Sequence, residues 1–176
     1  MAGTGSDESG GDWLLIKYTA AGVALWTNRY NGPANGDDYA NAIVVDSTGN
    51  VLVTGSSTVS TNGASDYATI KYSAAGVPLW TNRYNGPANG DDQAVAAGVD
   101  GSGNGYDYDY ATLKYSSAGS LLWARRYNGP YFIDTPSSLA VDAAGNVIVT
   151  GDSLDPSGSY TSLASCRYDC GNTAGP

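Results

Sequence analysis

The 176-residue chain is long enough for one domain with a real core, and its 17 acidic against 8 basic side chains give a formal net charge of -9. With the acidic residues spread along the chain and no basic patch, nucleic acid and anionic membranes are poor partners. No run of about twenty apolar residues is present to insert in a membrane, and the absence of histidine excludes Ser-His-Asp and Cys-His catalysis.

Glycine and tyrosine are abundant, at 24 and 14 residues, whereas Phe and Met occur once each. Val, Thr, Tyr and Trp favour strands, Gly, Asn, Asp and Ser favour the turns between them, and no stretch rich in Leu, Glu, Lys and Ala suggests a helix. The composition predicts a nearly all-β chain. The start, MAGTGSDESGGDW, lacks a basic region followed by an apolar one, so it does not read as a signal peptide. Residues 1–11 are expected to be a flexible start, and residues 12–176 a repeat domain.

In chain order, the first predicted strands are Asp12 to Tyr18 and Ala24 to Tyr30. They introduce a repeat. Lys17 to Asp38, KYTAAGVALWTNRYNGPANGDD, returns 54 residues later at Lys71 to Asp92 with two changes, Thr19/Ser73 and Ala24/Pro78. A shortened third copy begins at Lys114. A second signature, VVDSTGNVLVTG at Val44 to Gly55, returns as AVDAAGNVIVTG at Ala140 to Gly151.

One full unit, residues 41–84, carries four strand candidates: Asn41 to Asp46, Asn50 to Gly55, Asp66 to Tyr72 and Pro78 to Tyr84. The tight DSTG and SAAG connections make strands one and two, and strands three and four, antiparallel hairpins. The unit spanning 94–127 keeps the first strand at Ala94 to Asp100 but is eleven residues shorter, and its second strand reads as deleted. Its segment NGYDYDYATLKY is expected to supply the missing pairing from within the chain, in a three-stranded unit. Partial units at 12–30 and 138–168 complete about three repeats. The predicted fold is all-β, with four-stranded antiparallel propeller-type blades in an incomplete or open propeller.

On these motifs, AIVVDSTGNVLVTGSS followed by DYATIKYSAAGVPLW, the chain resembles the bacterial β-propeller repeats of the SBBP type. The resemblance implies an extracellular or cell-surface location and no particular activity.

The recurring residues offer several readings. Trp26, Trp80 and Trp123, with Tyr30, Tyr84 and Tyr127, are candidate ligand or packing positions, serving either as platforms for sugars or as contacts between neighbouring blades. Alternation along LWTNRY places Trp80, Asn82 and Tyr84 on one face, which favours packing. Lys17, Lys71 and Lys114, the arginines at 29, 83 and 126, and the aspartates at 37, 38, 91 and 92 are candidates for ionic pairs between strands or blades.

Asp46, Asp100 and Asp142 precede Gly-Asn turns. A calcium loop would need more oxygen ligands, and capping of the turn by Asp is the simpler account. Cys166 and Cys170 form either a local bridge or two free thiols. No catalytic residue, metal ligand or cofactor is predicted. The expected function is a non-enzymatic scaffold or protein-interaction module. The alternatives are a carbohydrate-binding propeller and a propeller-type glycosidase or lyase, and self-association through open sheet edges is a further expectation.

Overall fold

The computed structural model describes residues 2–7, 10–59, 64–86, 92, 94–99, 105–109, 111–126, 134–154 and 160–168. They form fourteen strands and, among the described residues, no helix. In chain order these are β1 (Ala2–Asp7), β2 (Gly10–Tyr18), β3 (Ala24–Tyr30), β4 (Asp38–Val45), β5 (Val51–Thr58), β6 (Ser65–Tyr72), β7 (Pro78–Tyr84), β8 (Gly98–Val99), β9 (Gly105–Asp109), β10 (Ala111–Tyr115), β11 (Leu121–Arg126), β12 (Asp134–Val141), β13 (Val147–Leu154) and β14 (Tyr160–Tyr168).

Every pairing is antiparallel between strands consecutive in sequence, giving sheets β1-β2-β3, β4-β5-β6-β7, β8-β9-β10-β11 and β12-β13-β14. The full unit 41–84 therefore lies in one sequentially ordered four-stranded sheet. Among the described residues no sheet closes on itself, and the arrangement is that of an open, incomplete propeller.

The sheets stack face to face, and each junction has its own apolar core. Trp13 and Leu15 of β2 meet Val51, Val53, Ala68, Ile70 and Tyr72 of the second sheet. Tyr67 meets Leu113 and Tyr115 of the third, and Val147 and Val149 of the fourth gather Trp123 and Ala96. The first strands of successive units lie side by side, β4 against β8 and β8 against β12. A Cβ on Gly98 would approach Leu139 and Val141 to 2.6 and 3.0 Å, so glycine permits that inner contact.

Two expectations are corrected. Ala2–Asp7, placed in a flexible start, forms β1 and pairs along its length with β2. The segment has no apolar periodicity to advertise a strand, and its pairing relies on backbone groups. In the third sheet, YDYDY does supply the inner partner, but the sheet has four strands. A two-residue β8 pairs with β9 (Gly98↔Tyr106 and Val99↔Gly105), and β9 pairs with β10. A short hairpin thus satisfies the backbone donors and acceptors that the deletion would have orphaned.

The turns at one end of the sheets share one geometry. In Thr19–Val23, Asp46–Asn50, Ser73–Val77, Ser116–Ser120 and Asp142–Asn146, the fourth residue's N–H donates to the first residue's carbonyl, and the fourth residue is a glycine with φ between 79° and 89°. The first side chain accepts from the fifth residue's N–H at 2.9–3.1 Å, which explains Thr, Ser or Asp at that position.

Candidate functional site

The repeated aromatic and polar residues converge on the joints between sheets. Trp26 on β3 donates its Nε1–H to the carbonyl of Ala74 at 3.2 Å, and Asn28, two residues on, donates to that of Gly76 at 2.7 Å. One unit later, Trp80 donates to Ser117 at 3.1 Å and Asn82 to Gly119 at 2.7 Å. Each Trp-x-Asn pair thereby clamps the third-to-fourth strand turn of the following sheet. The glycine of that turn is needed twice over. Its φ is positive, and a Cβ would lie 2.7 Å from the indole, of Trp26 at Gly76 and of Trp80 at Gly119.

Tyrosines complete the joints. Tyr72 stacks on Trp26 with ring centroids 6.4 Å apart, and Tyr115 tilts against Trp80 at 5.7 Å. Tyr30 lies across from Trp13 and Tyr84 across from Tyr67 within their own sheets, at 5.0 and 5.7 Å. Trp123 packs in the third junction, and Tyr127 lies outside the described residues. Replacement of Trp80 by Ala is expected to cost about 3 kcal/mol or more, because it removes both the indole packing and the bond to Ser117. Urea denaturation of the Trp80→Ala protein measures this.

The ionic residues also serve the joints and the strand ends. Arg29 pairs with the buried Asp12 at 2.7 Å, while the equivalent Arg83 turns instead to the Ser57 hydroxyl and the Tyr30 hydroxyl and ring. Lys17 donates to the Ala74 carbonyl at 2.9 Å. Lys71 and Asp46 form a buried pair at 3.1 Å. Asp46 also accepts from Thr48 and Asn50 through backbone and side chain. Burial works to raise its carboxyl, but the bonds from Thr48, Asn50 and Lys71 outweigh burial and hold it well below the ordinary range. Its oxygens face five donors, one of them an ammonium, which suits a cap and not a cation. Asp142 makes the same turn bonds with Ala144 and Asn146, and Asp100 lies outside the described residues.

The decapeptide shared by 29–38 and 83–92 links an outer strand to the next inner one. Asp38 and Asp92, equivalent by position, each accept the backbone N–H of a loop glycine, Gly32 or Gly86, at 2.5 Å. Asp38 also takes the Thr58 N–H, and Asp37 takes that of Gly11 at 2.9 Å. Asp37 and Asp38 are thus committed to different parts of the backbone and do not face a common point. Asp91 and Cys170 fall outside the described residues.

Near that end of the second sheet, the Asp66 carboxyl is pushed up by burial and by Asp92, with Arg83 acting in the opposite sense. Sequence reasoning misses both the raised Asp66 and the Trp-x-Asn clamp. The clamp has a signal, the joint recurrence of Trp, Asn and the Ala-Gly turn. The Asp66–Asp92 proximity has none, because it depends on how the loop returns. Among the described residues no group of three His, Cys, Asp or Glu is placed to hold a metal ion, and no helix is long and apolar enough to cross a membrane.

The fold is of β-propeller type, open and built from short antiparallel sheets. The model of the β-propeller repeat family SBBP matches residues 26–64. Among solved structures, the chain is similar to a streptogramin B lyase at 12% identity, with 98% of this chain and 69% of that one covered and a TM-score of 0.39. It is also similar to XC5397 of Xanthomonas campestris, described as a gluconolactonase important in glucose secondary metabolic pathways. That match has 12% identity, covers 80% of this chain and 65% of that one, and has a TM-score of 0.33. No curated protein matches the sequence.

Proposed function

We propose that the chain is a non-enzymatic repeat scaffold that presents its sheets for association with other proteins. The observation that carries this reading is the use made of the recurring residues. Trp26, Asn28, Trp80 and Asn82 are occupied in clamping turns, Asp38 and Asp92 in holding loop amides, and Asp46 with Lys71 in a buried pair. Side chains so committed are poor candidates for a sugar platform or an acid–base pair. A screen of the purified protein against glycosides, esters and lactones is expected to show no turnover. Turnover lost on replacing a single aspartate would refute the scaffold reading.

A second reading, a glycosidase or lyase, is favoured by one observation. Asp66, with its carboxyl raised beside Asp92, has the character of a general acid next to a second carboxylate. Under this reading Asp66→Asn abolishes turnover found in the same screen and leaves the folded state intact.

A further inference from the structure

The loop between β3 and β4 contains two Asn-Gly steps, Asn31–Gly32 and Asn35–Gly36. Asparagine before glycine is open to attack from its own chain. The glycine nitrogen can reach the side-chain amide carbon one residue back, and no Cβ stands in its way. Both asparagines are exposed, so exposure does not separate them.

The glycine nitrogens do. The Gly32 N–H is donated to the buried Asp38 carboxylate at 2.5 Å, and that bond must break before the nitrogen can attack. The copied loop repeats the arrangement, with the Gly86 N–H on Asp92 at 2.5 Å, so Asn85–Gly86 is held in the same way. The Gly36 N–H has no such carboxylate partner among the described residues.

The Asn35 amide is also activated. Its Oδ1 accepts a hydrogen bond from Nδ2 of Asn31 at 3.0 Å. A donor on that oxygen draws electron density from Cγ and stabilises the oxyanion that forms there as a nitrogen adds. Asn35 has φ +49°, the one positive φ outside glycine among the described residues. Backbone strain of that kind is released when the chain beyond it lengthens.

We propose that Asn35–Gly36 is a site of self-modification, with Asn31 as its positioning residue and water as the co-reactant. The Gly36 nitrogen bonds to Cγ of Asn35, the Cγ–Nδ2 bond breaks, and Nδ2 leaves as ammonia carrying the proton from Gly36. Water then opens the cyclic imide at one of its two carbonyls, giving aspartate or isoaspartate. Nothing is oxidised or reduced. The consequence falls on the joint between the first two sheets. Isoaspartate adds a methylene to the backbone just before residues 36–38, where Asp37 holds the Gly11 N–H at 2.9 Å and, through its carbonyl, the Thr58 N–H at 3.3 Å. The inference stands on the loop and does not depend on whether the chain is a scaffold or an enzyme.

Timed incubation of the intact chain in mildly alkaline buffer, followed by peptide mapping with mass spectrometry, tests it. Asn35 is expected to convert at least about 10-fold faster than Asn31 or Asn85, because the charge-assisted bonds to Gly32 and Gly86 must break first. In urea the three rates should converge, since each asparagine precedes a glycine and only the fold distinguishes them. Asn31→Ala, a change at an exposed position, should slow conversion at Asn35 about 5-fold and leave the rate at Asn85 unchanged. Equal rates at the three sites in the folded chain would overturn the proposal. So would a preference for Asn35 that persists in urea, or an Asn31→Ala chain that converts Asn35 as fast as the unaltered one.

Discussion

Gly55→Val is expected to destabilise the protein by about 3 kcal/mol or more, a large part of a domain's total stability. Gly55 lies in β5 opposite the irregularity between Ala40 and Ala42, where β4 bulges and Gly55 pairs with Ala40. A Cβ at this position would sit 1.8 Å from the carbonyl oxygen of Tyr39 and 3.1 Å from the Cα of Ala40. The obstacle is backbone, which cannot swing aside as a side chain would. The bulge must open, with loss of ladder bonds around it. Gly22→Ala is the control: nothing lies within 4 Å of its Cβ, and only the positive φ opposes the change, at about 1 kcal/mol. Chemical denaturation of both variants measures the contrast. A Gly55→Val protein as stable as Gly22→Ala would show that the bulge is not rigid.

Lys71→Met is expected to cost about 3 kcal/mol, because it removes the ammonium from a buried pair and leaves the Asp46 carboxylate without its counter-charge. The hydrogen bonds from Thr48 and Asn50 remain and keep the loss at the lower end of the range for broken buried pairs. Adding Asp46→Asn to Lys71→Met is expected to cost less than the sum of the single changes, since no unpaired charge is left.

The pH dependence has a definite sign. The Asp46 carboxyl is lowered on folding from its ordinary 3.8, so the unfolded chain binds the proton more readily. Its stabilisation is fully present above that ordinary value and is lost as pH falls below it toward the folded one. Stability measured from neutral pH into acid should fall less steeply in Lys71→Met than in the unaltered protein. Equal slopes would mean that the ammonium does not set the carboxyl's affinity for protons.

The strands of 41–84 were legible because each apolar run is bracketed by a turn with Asp or Ser at its first position and Gly at its fourth. β7 begins and ends where the sequence placed it, at Pro78 and Tyr84. β4 begins three residues earlier than expected, at Asp38, because Asp38 is drawn into the ladder opposite Ser57. That extension depends on a bulge, and bulges leave no periodic signal.

β1 escaped for a related reason. Thr4-Gly5-Ser6 repeats Thr54-Gly55-Ser56, but without the valines that mark β5. Its register also differs: Thr4 faces Trp13, whereas Ser56 faces Tyr67 at the position equivalent to Trp13. Alternation in LWTNRY correctly grouped Trp80, Asn82 and Tyr84, all partly buried. It was silent on what they touch, because the partner turn lies in the following unit, 37 residues away for both the Trp80 and Asn82 bonds.

The joint between sheets has a plug, Trp-x-Asn, and a socket, the Ala-Gly turn. In the second unit the socket at Ser73–Gly76 and the plug at Trp80–Asn82 lie in one continuous hairpin. A segment copied in tandem therefore carries both halves of the fastening, and the new copy's socket fits the old copy's plug without further change. Growth or shrinkage by whole hairpins leaves every remaining joint matched. The near-identity of residues 17–38 and 71–92 gives successive joints the same plug and the same socket, so that mutual fit is kept on both sides.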